Sequence, residues 1–127
     1  MEPLEPNGEV IERLQAISLE VSQFDRAVEF YRTIMGLEVQ ILAPNHYATI
    51  PRVNISLVSS SDHVTSDGFH IELVVTDVDS WYQHVENLGA TVLTQPRNQS
   101  WGSRNFYMLD SEGHTLELTT PMEMKPS

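Results

Sequence analysis

Two stretches of the chain invite a chemical reading: GFHIELVVTD at 68–77 and AISLEVSQFD at 16–25 share one alternating pattern, but His70 stands where the other has Ala16. A histidine at the head of a strand can ligate a metal or line a polar cavity. The residues able to join it are those that alternation puts on its side of a sheet. In a strand, successive side chains point to opposite faces. Ile71, Leu73 and Val75 then share one face, and His70, Glu72 and Val74 the other. On the last apolar run Leu116 and Leu118 face the core, and Thr115, Glu117 and Thr119 face away. In the first half the same rule turns Glu20, Asn54 and Ser56 away from the core. A curled sheet would gather these groups into a concave site; a flat one would leave them wetted by solvent.

The elements that position them repeat. Ile17, Leu19, Val21 and Asp25 match Ile71, Leu73, Val75 and Asp79 at a constant offset, the signature of a duplicated unit. Each strand leads into a helical pattern, FDRAVEFYRTIMG and VDSWYQHVENLG. Asp25 and Asp79 sit near the helix starts, where a carboxylate can cap free N–H groups. Gly36 and Gly89 sit where a helix ends on a residue of positive φ. Extended segments follow at 37–42, 46–50 and 53–58, then at 91–94, 105–109 and 115–119, with DSEGH at 110–114 as a hairpin turn. The polar run SSSDHVTSDG joins the halves. The resulting division is a tail at 1–13, a first module at 14–60, a linker at 61–68, a second module at 69–120 and a tail at 121–127. The fold class is α+β, two tandem βαβββ modules with mostly antiparallel sheets.

Composition narrows the function. The 127 residues suffice for one domain with a core. No apolar run is long enough for a membrane span, and the N-terminal MEPLEPNGEVIER lacks the layout of a secretory leader, so a cytoplasmic location is expected. The absence of cysteine excludes disulfides, thiolate metal sites and a cysteine nucleophile. A net charge of −11 argues against nucleic acid and anionic membranes and favours cationic ligands.

The segments AISLEVSQFDRAVEFYRTIMGLE, GFHIELVVTDVDSWY and WGSRNFYMLDSEGHTLELTTP resemble the vicinal oxygen chelate superfamily of glyoxalases, bleomycin-resistance proteins and extradiol dioxygenases. The last segment is most similar to the bleomycin-resistance-like branch. The resemblance implies sheets curled around a cup, a homodimer, and metal-ligand positions at Ala16, Ser56, His70 and Glu117. Alanine cannot ligate and a serine hydroxyl ligates poorly, so His70 and Glu117 alone match the pattern, whereas a catalytic zinc or non-haem iron site takes three protein ligands. His46, His63 and His114 read as loop or turn residues.

The expected function is therefore a small-molecule binding protein that sequesters a planar or cationic antibiotic-like ligand in a metal-poor cup. Its expected ligand-binding residues are Glu20, Ser56, His70, Glu72, Trp101, Tyr107 and Glu117. Of Phe106 and Tyr107 only one can face the cup, and Tyr107 tolerates a polar cavity better. Arg104 is expected to pair with an acidic neighbour. No cofactor is expected. The alternative is a metal-dependent lyase, isomerase or dioxygenase of the same superfamily that keeps a divalent metal through His70 and Glu117.

Overall fold

The structure, a computed structural model, describes residues 6–65 and 67–122. Strand β1 (Ile17–Val21) leads into helix α1 (Phe24–Glu29), then β2 (Gln40–Ala43), β3 (Tyr47–Ile50) and β4 (Ile55–Ser59). The second half repeats the order with β5 (Ile71–Val74), α2 (Val78–Asn87), β6 (Arg97–Asn98), β7 (Ser103–Leu109) and β8 (Thr115–Pro121). Each half is one four-stranded sheet, ordered β1-β4-β3-β2 and β5-β8-β7-β6. The first and last strands of each module run parallel, and the other pairs run antiparallel. The architecture is α+β, with β1 and β5 left as edge strands.

The core follows the alternation. Leu19, Val21, Ile55, Leu57, Leu116 and Leu118 are buried with Ala27, Val28 and Val85 of the helices. Burial of this apolar surface is the main stabilising term. Gly36 and Gly89 end the helical segments at φ 67° and 80°, a region that costs glycine little.

Several boundaries differ from the sequence pattern, each for a local reason. Helix α1 is short and passes into a widened π-turn over Phe30–Ile34, where the Met35 N–H reaches Phe30 O at 3.2 Å. That widening accompanies a fully buried Tyr31 whose hydroxyl donates to Asp110 Oδ2 at 2.7 Å. The strand expected at 37–42 starts only at Gln40, because the Leu37 N–H closes the helical segment onto Tyr31 O. The strand expected from 53 starts at Ile55, after a 3-10 turn over Pro51–Val53 and a left-handed Asn54. At 91–94 only an isolated bridge, Val92 to Met108, forms. Pro96, which has no N–H to give a ladder, follows directly, and a short β6 not foreseen in the sequence takes over.

The helix caps also correct the sequence reading. Asp77, not Asp79, caps α2: its Oδ1 accepts the N–H groups of Asp79 and Ser80. Asp79 instead holds Arg104 in a bidentate pair, both contacts at 2.9 Å. At α1 the N-cap residue Gln23 makes no side-chain cap, and Asp25 lies inside the first turn. The free amides there go to the other module: Ser22 N–H and Oγ–H donate to Glu112 Oε1, and Gln23 N–H to Oε2. The DSEGH turn is thus a clasp between modules as well as a hairpin. His63 Nε2 meets Glu112 O, and His114 Nε2 meets Glu20 O. Residues 1–5 and 123–127 of the expected tails, and Ser66 of the expected linker, lie outside the described residues.

Candidate functional site

The second sheet carries the candidate site. Its register places Glu72 of β5 opposite Glu117 of β8, and Tyr107 of β7 opposite Glu117 on the other side. His70 stands one residue before β5 begins, so its side chain falls on the same face as that of Glu72. His70 Nε2–H donates to Glu117 Oε1 at 2.8 Å. Asn105 Nδ2 donates to Glu117 Oε2 at 3.1 Å, and Gln99 Nε2 donates to Asn105 Oδ1 at 2.9 Å. Glu117 and Asn105 are 3% and 1% exposed, whereas the His70 side chain is 39% exposed. A buried carboxylate is thereby satisfied on both oxygens beneath an accessible imidazole.

Tyr107 stacks edge-on to His70, with ring centroids 5.4 Å apart. Partial burial first, then the carboxylates of Glu117 and Glu72, raise its pKa above the ordinary value of 10.0. The phenol keeps its proton, and its hydroxyl is engaged by the Glu117 carboxylate. Phe106, its neighbour, is fully buried in the core.

His70, Glu72 and Glu117 offer one nitrogen and two carboxylate oxygens that all lie within 4.8 Å of one another. Bonds of about 2.0–2.2 Å to a divalent ion hold ligand atoms no more than about 4.4 Å apart. Glu72, which supplies one of these oxygens, is exposed. The donor set fits a divalent ion such as Mn2+, Zn2+ or Fe2+. Glu72, read from the sequence as a polar cup residue, thus stands as a third candidate donor beside His70 and Glu117. The remaining histidines stand elsewhere, His46 on Ser59 Oγ, His84 on Ile34 O, and His63 and His114 in the clasp.

A groove of about 500 Å3 runs beside the cluster along the free edge of β5. It is lined by His70, Glu72, Val74 and Trp81, and across it by Ile17 and Arg52 of the first module. A second cavity of about 410 Å3, lined by Arg26, Phe30, Leu88 and Ser111 among others, shares no residue with it.

The structure brings His70, Glu72, Tyr107 and Glu117 of the sequence-based set together. Ser56 and Glu20 lie in the other sheet. Ser56 is fully buried with its hydroxyl 2.7 Å from that of Ser18, and exposed Glu20 adjoins the clasp. Trp101, 66% exposed, sits in the β6–β7 loop, beyond the Ser103–Pro121 pair and four residues along β8 from Glu117. Asn105 and Gln99 were missed by the sequence reading. Alternation from Tyr107 would have placed Asn105 on the same face. Gln99, in a loop, gives no such signal.

Paired βαβββ modules with a histidine at the head of one strand and a glutamate on the last define a class, and comparison with known proteins identifies it. Residues 16–119 match the model of the glyoxalase-like domain family. The chain belongs to that family, within the vicinal oxygen chelate superfamily. An uncharacterised protein of Mycobacterium bovis is 44% identical over 52 residues, 41% of this chain. That match spans about a third of the relative's own length, 34%. The metallothiol transferase FosB of Staphylococcus haemolyticus is 25% identical, with 87% of this chain and 85% of that one covered. Among solved structures, the fosfomycin resistance protein FosX of Listeria monocytogenes superposes with a TM-score of 0.73 at 20% identity, covering 89% of this chain and 96% of that one. A protein of unknown function from Agrobacterium tumefaciens reaches 0.77 at 18% identity, covering 89% and 97%. Among the described residues no helix is long and apolar enough to cross a membrane.

Proposed function

We propose that His70, Glu72 and Glu117 hold a divalent cation and present it to a small oxygen-bearing substrate in the groove beside β5. The observation that carries this reading is the third ligand: Glu72 lies in register with Glu117 and within 4.8 Å of the other donor atoms. When bound, such an ion supplies Lewis-acid polarisation of a coordinated oxygen. The chain's own residues do the rest. Asn105 fixes the buried Glu117 carboxylate. Tyr107 braces the same carboxylate from the neighbouring strand. Two carboxylates and a divalent ion leave the cluster near neutral, and Arg52 on the groove wall then favours a substrate with an anionic group. The relatives named as a metallothiol transferase and a fosfomycin resistance protein support a small-molecule reaction at this site.

A second reading is favoured by one observation, the open Trp101 indole, 66% exposed. In it the chain sequesters a planar cationic antibiotic-like molecule without a metal, stacked on Trp101. In either reading the chain pairs with a second copy of itself as a homodimer, and the protein works in the cytoplasm.

Titration of the metal-stripped chain with Mn2+ and Zn2+ by calorimetry separates the two. One equivalent per chain is the expected result. No stoichiometric cation, together with micromolar quenching of Trp101 by a flat cationic drug, would replace the first reading with the second.

A further inference from the structure

The Glu117 carboxylate is tied to more than its own strand. A hydrogen-bond chain runs from Glu117 Oε2 to Asn105 Nδ2, then from Asn105 Oδ1 to Gln99 Nε2. Its polarity is forced. An ionised carboxylate only accepts, so Asn105 must turn its NH2 toward Glu117 and its carbonyl away, and Gln99 must then turn its own NH2 inward. Asn105 is 1% exposed, so bulk solvent does not reach its amide.

The outer end of the chain is the β6–β7 loop. Gln99 N–H donates to Ser103 O at 2.7 Å, and Gly102 N–H donates to Gln99 O at 3.2 Å. Gln99 thus anchors the tight loop that carries Trp101. The geometry points to a positioning relay: Asn105 and Gln99 couple the grip of Glu117 on its ligand to the conformation of the Gln99–Ser103 loop, so that contact with a molecule at Trp101 and cation binding at Glu117 are one linked event. Such coupling is reciprocal: whatever orders the loop tightens the carboxylate, and the reverse. This rests on the cation reading for its function, but the coupling itself does not need a metal to be observed.

Amide hydrogen exchange at Gln99 and Gly102 in the whole chain reads the coupling directly. Glu117→Leu and Gln99→Leu are each expected to speed exchange roughly three- to tenfold, the equilibrium worth of one net hydrogen bond. In the double variant Glu117→Leu should add nothing to Gln99→Leu, because the relay is already cut. The Ala27 amide of α1 is the folding control and should keep its rate in all variants. Unchanged loop exchange in Glu117→Leu, or independent additive effects, overturns the relay. In parallel, Mn2+ should slow loop exchange in the wild-type chain but not in Gln99→Leu, while calorimetry shows both still bind it. Absence of Mn2+ heat in the wild-type chain counts against the cation reading alone, and the Glu117→Leu arm then decides the relay. An equal Mn2+ effect in Gln99→Leu also overturns it.

Discussion

The two sheets share a topology and a register yet do different things at the same place. In the second, the row across β5, β8 and β7 is Glu72, Glu117, Tyr107, headed by His70. In the first, the row across β1, β4 and β3 is Ser18, Ser56, Thr49, headed by Ala16. Ser18 and Ser56 satisfy each other at 2.7 Å, with Ser56 fully buried, so that row is closed on itself. Glu117 is held by Asn105 and His70 and stands beside Glu72 and an accessible imidazole, so its row gathers the donors of the proposed cation site. One backbone thus carries the proposed site where its row holds charge and an imidazole nitrogen, and a closed hydroxyl pair where it holds serines.

The largest test of this contrast removes the imidazole. His70→Ala should lower Mn2+ affinity by more than the roughly 10- to 100-fold that loss of an outer-shell partner costs. Ser56→Ala, at the corresponding place in the first sheet, should leave it unchanged. Equal losses by calorimetry would mean that the first sheet also holds the ion and that the contrast is false.

The modules also differ in what they lend each other. The second gives the first a helix cap, Glu112, 5% exposed. Burial pushes its carboxyl up, but the backbone N–H of Ser22, the Ser22 hydroxyl and the Gln23 N–H outweigh that and hold its pKa below the ordinary 4.5. A folded-state pKa that is depressed contributes stability above the unfolded value, lost as pH falls through the folded one. The clasp should therefore be intact at pH 6 and weaken below about 4.5. Glu112→Gln should cost about 1.5–3 kcal/mol at neutral pH, the range for hydrogen bonds to a charged group. In acid the variant and the wild-type chain should converge. Thermal unfolding at several pH values checks both; a deficit constant down to pH 3 would deny the clasp its charge.

Much of this was legible beforehand. Period-two alternation gave the strands, and the offset between Ile17 and Ile71 gave the duplication. Faces were readable where strands are regular, which is why His70, Glu72, Tyr107 and Glu117 could be grouped. What escaped depends on contacts distant in sequence. Glu112 caps a helix about ninety residues earlier, and nothing in the local pattern at Asp25 warns that its capping role is taken. Glu72 was placed on the same face as His70, but its distance from the other donor atoms is set by strand register, which alternation alone does not supply. Gln99 sits in a loop, where periodicity has nothing to say.

The smallest prediction concerns the quiet row itself. If Ser18 and Ser56 are only a satisfied pair, Ser18→Ala should cost about 1–3 kcal/mol by stranding the buried Ser56 hydroxyl. Removing both hydroxyls should cost less than removing one, since no polar group is then left without a partner. A double-mutant cycle by denaturant unfolding measures this. Additive losses would mean that one of the hydroxyls has another partner, and that the first sheet keeps a polar role of its own.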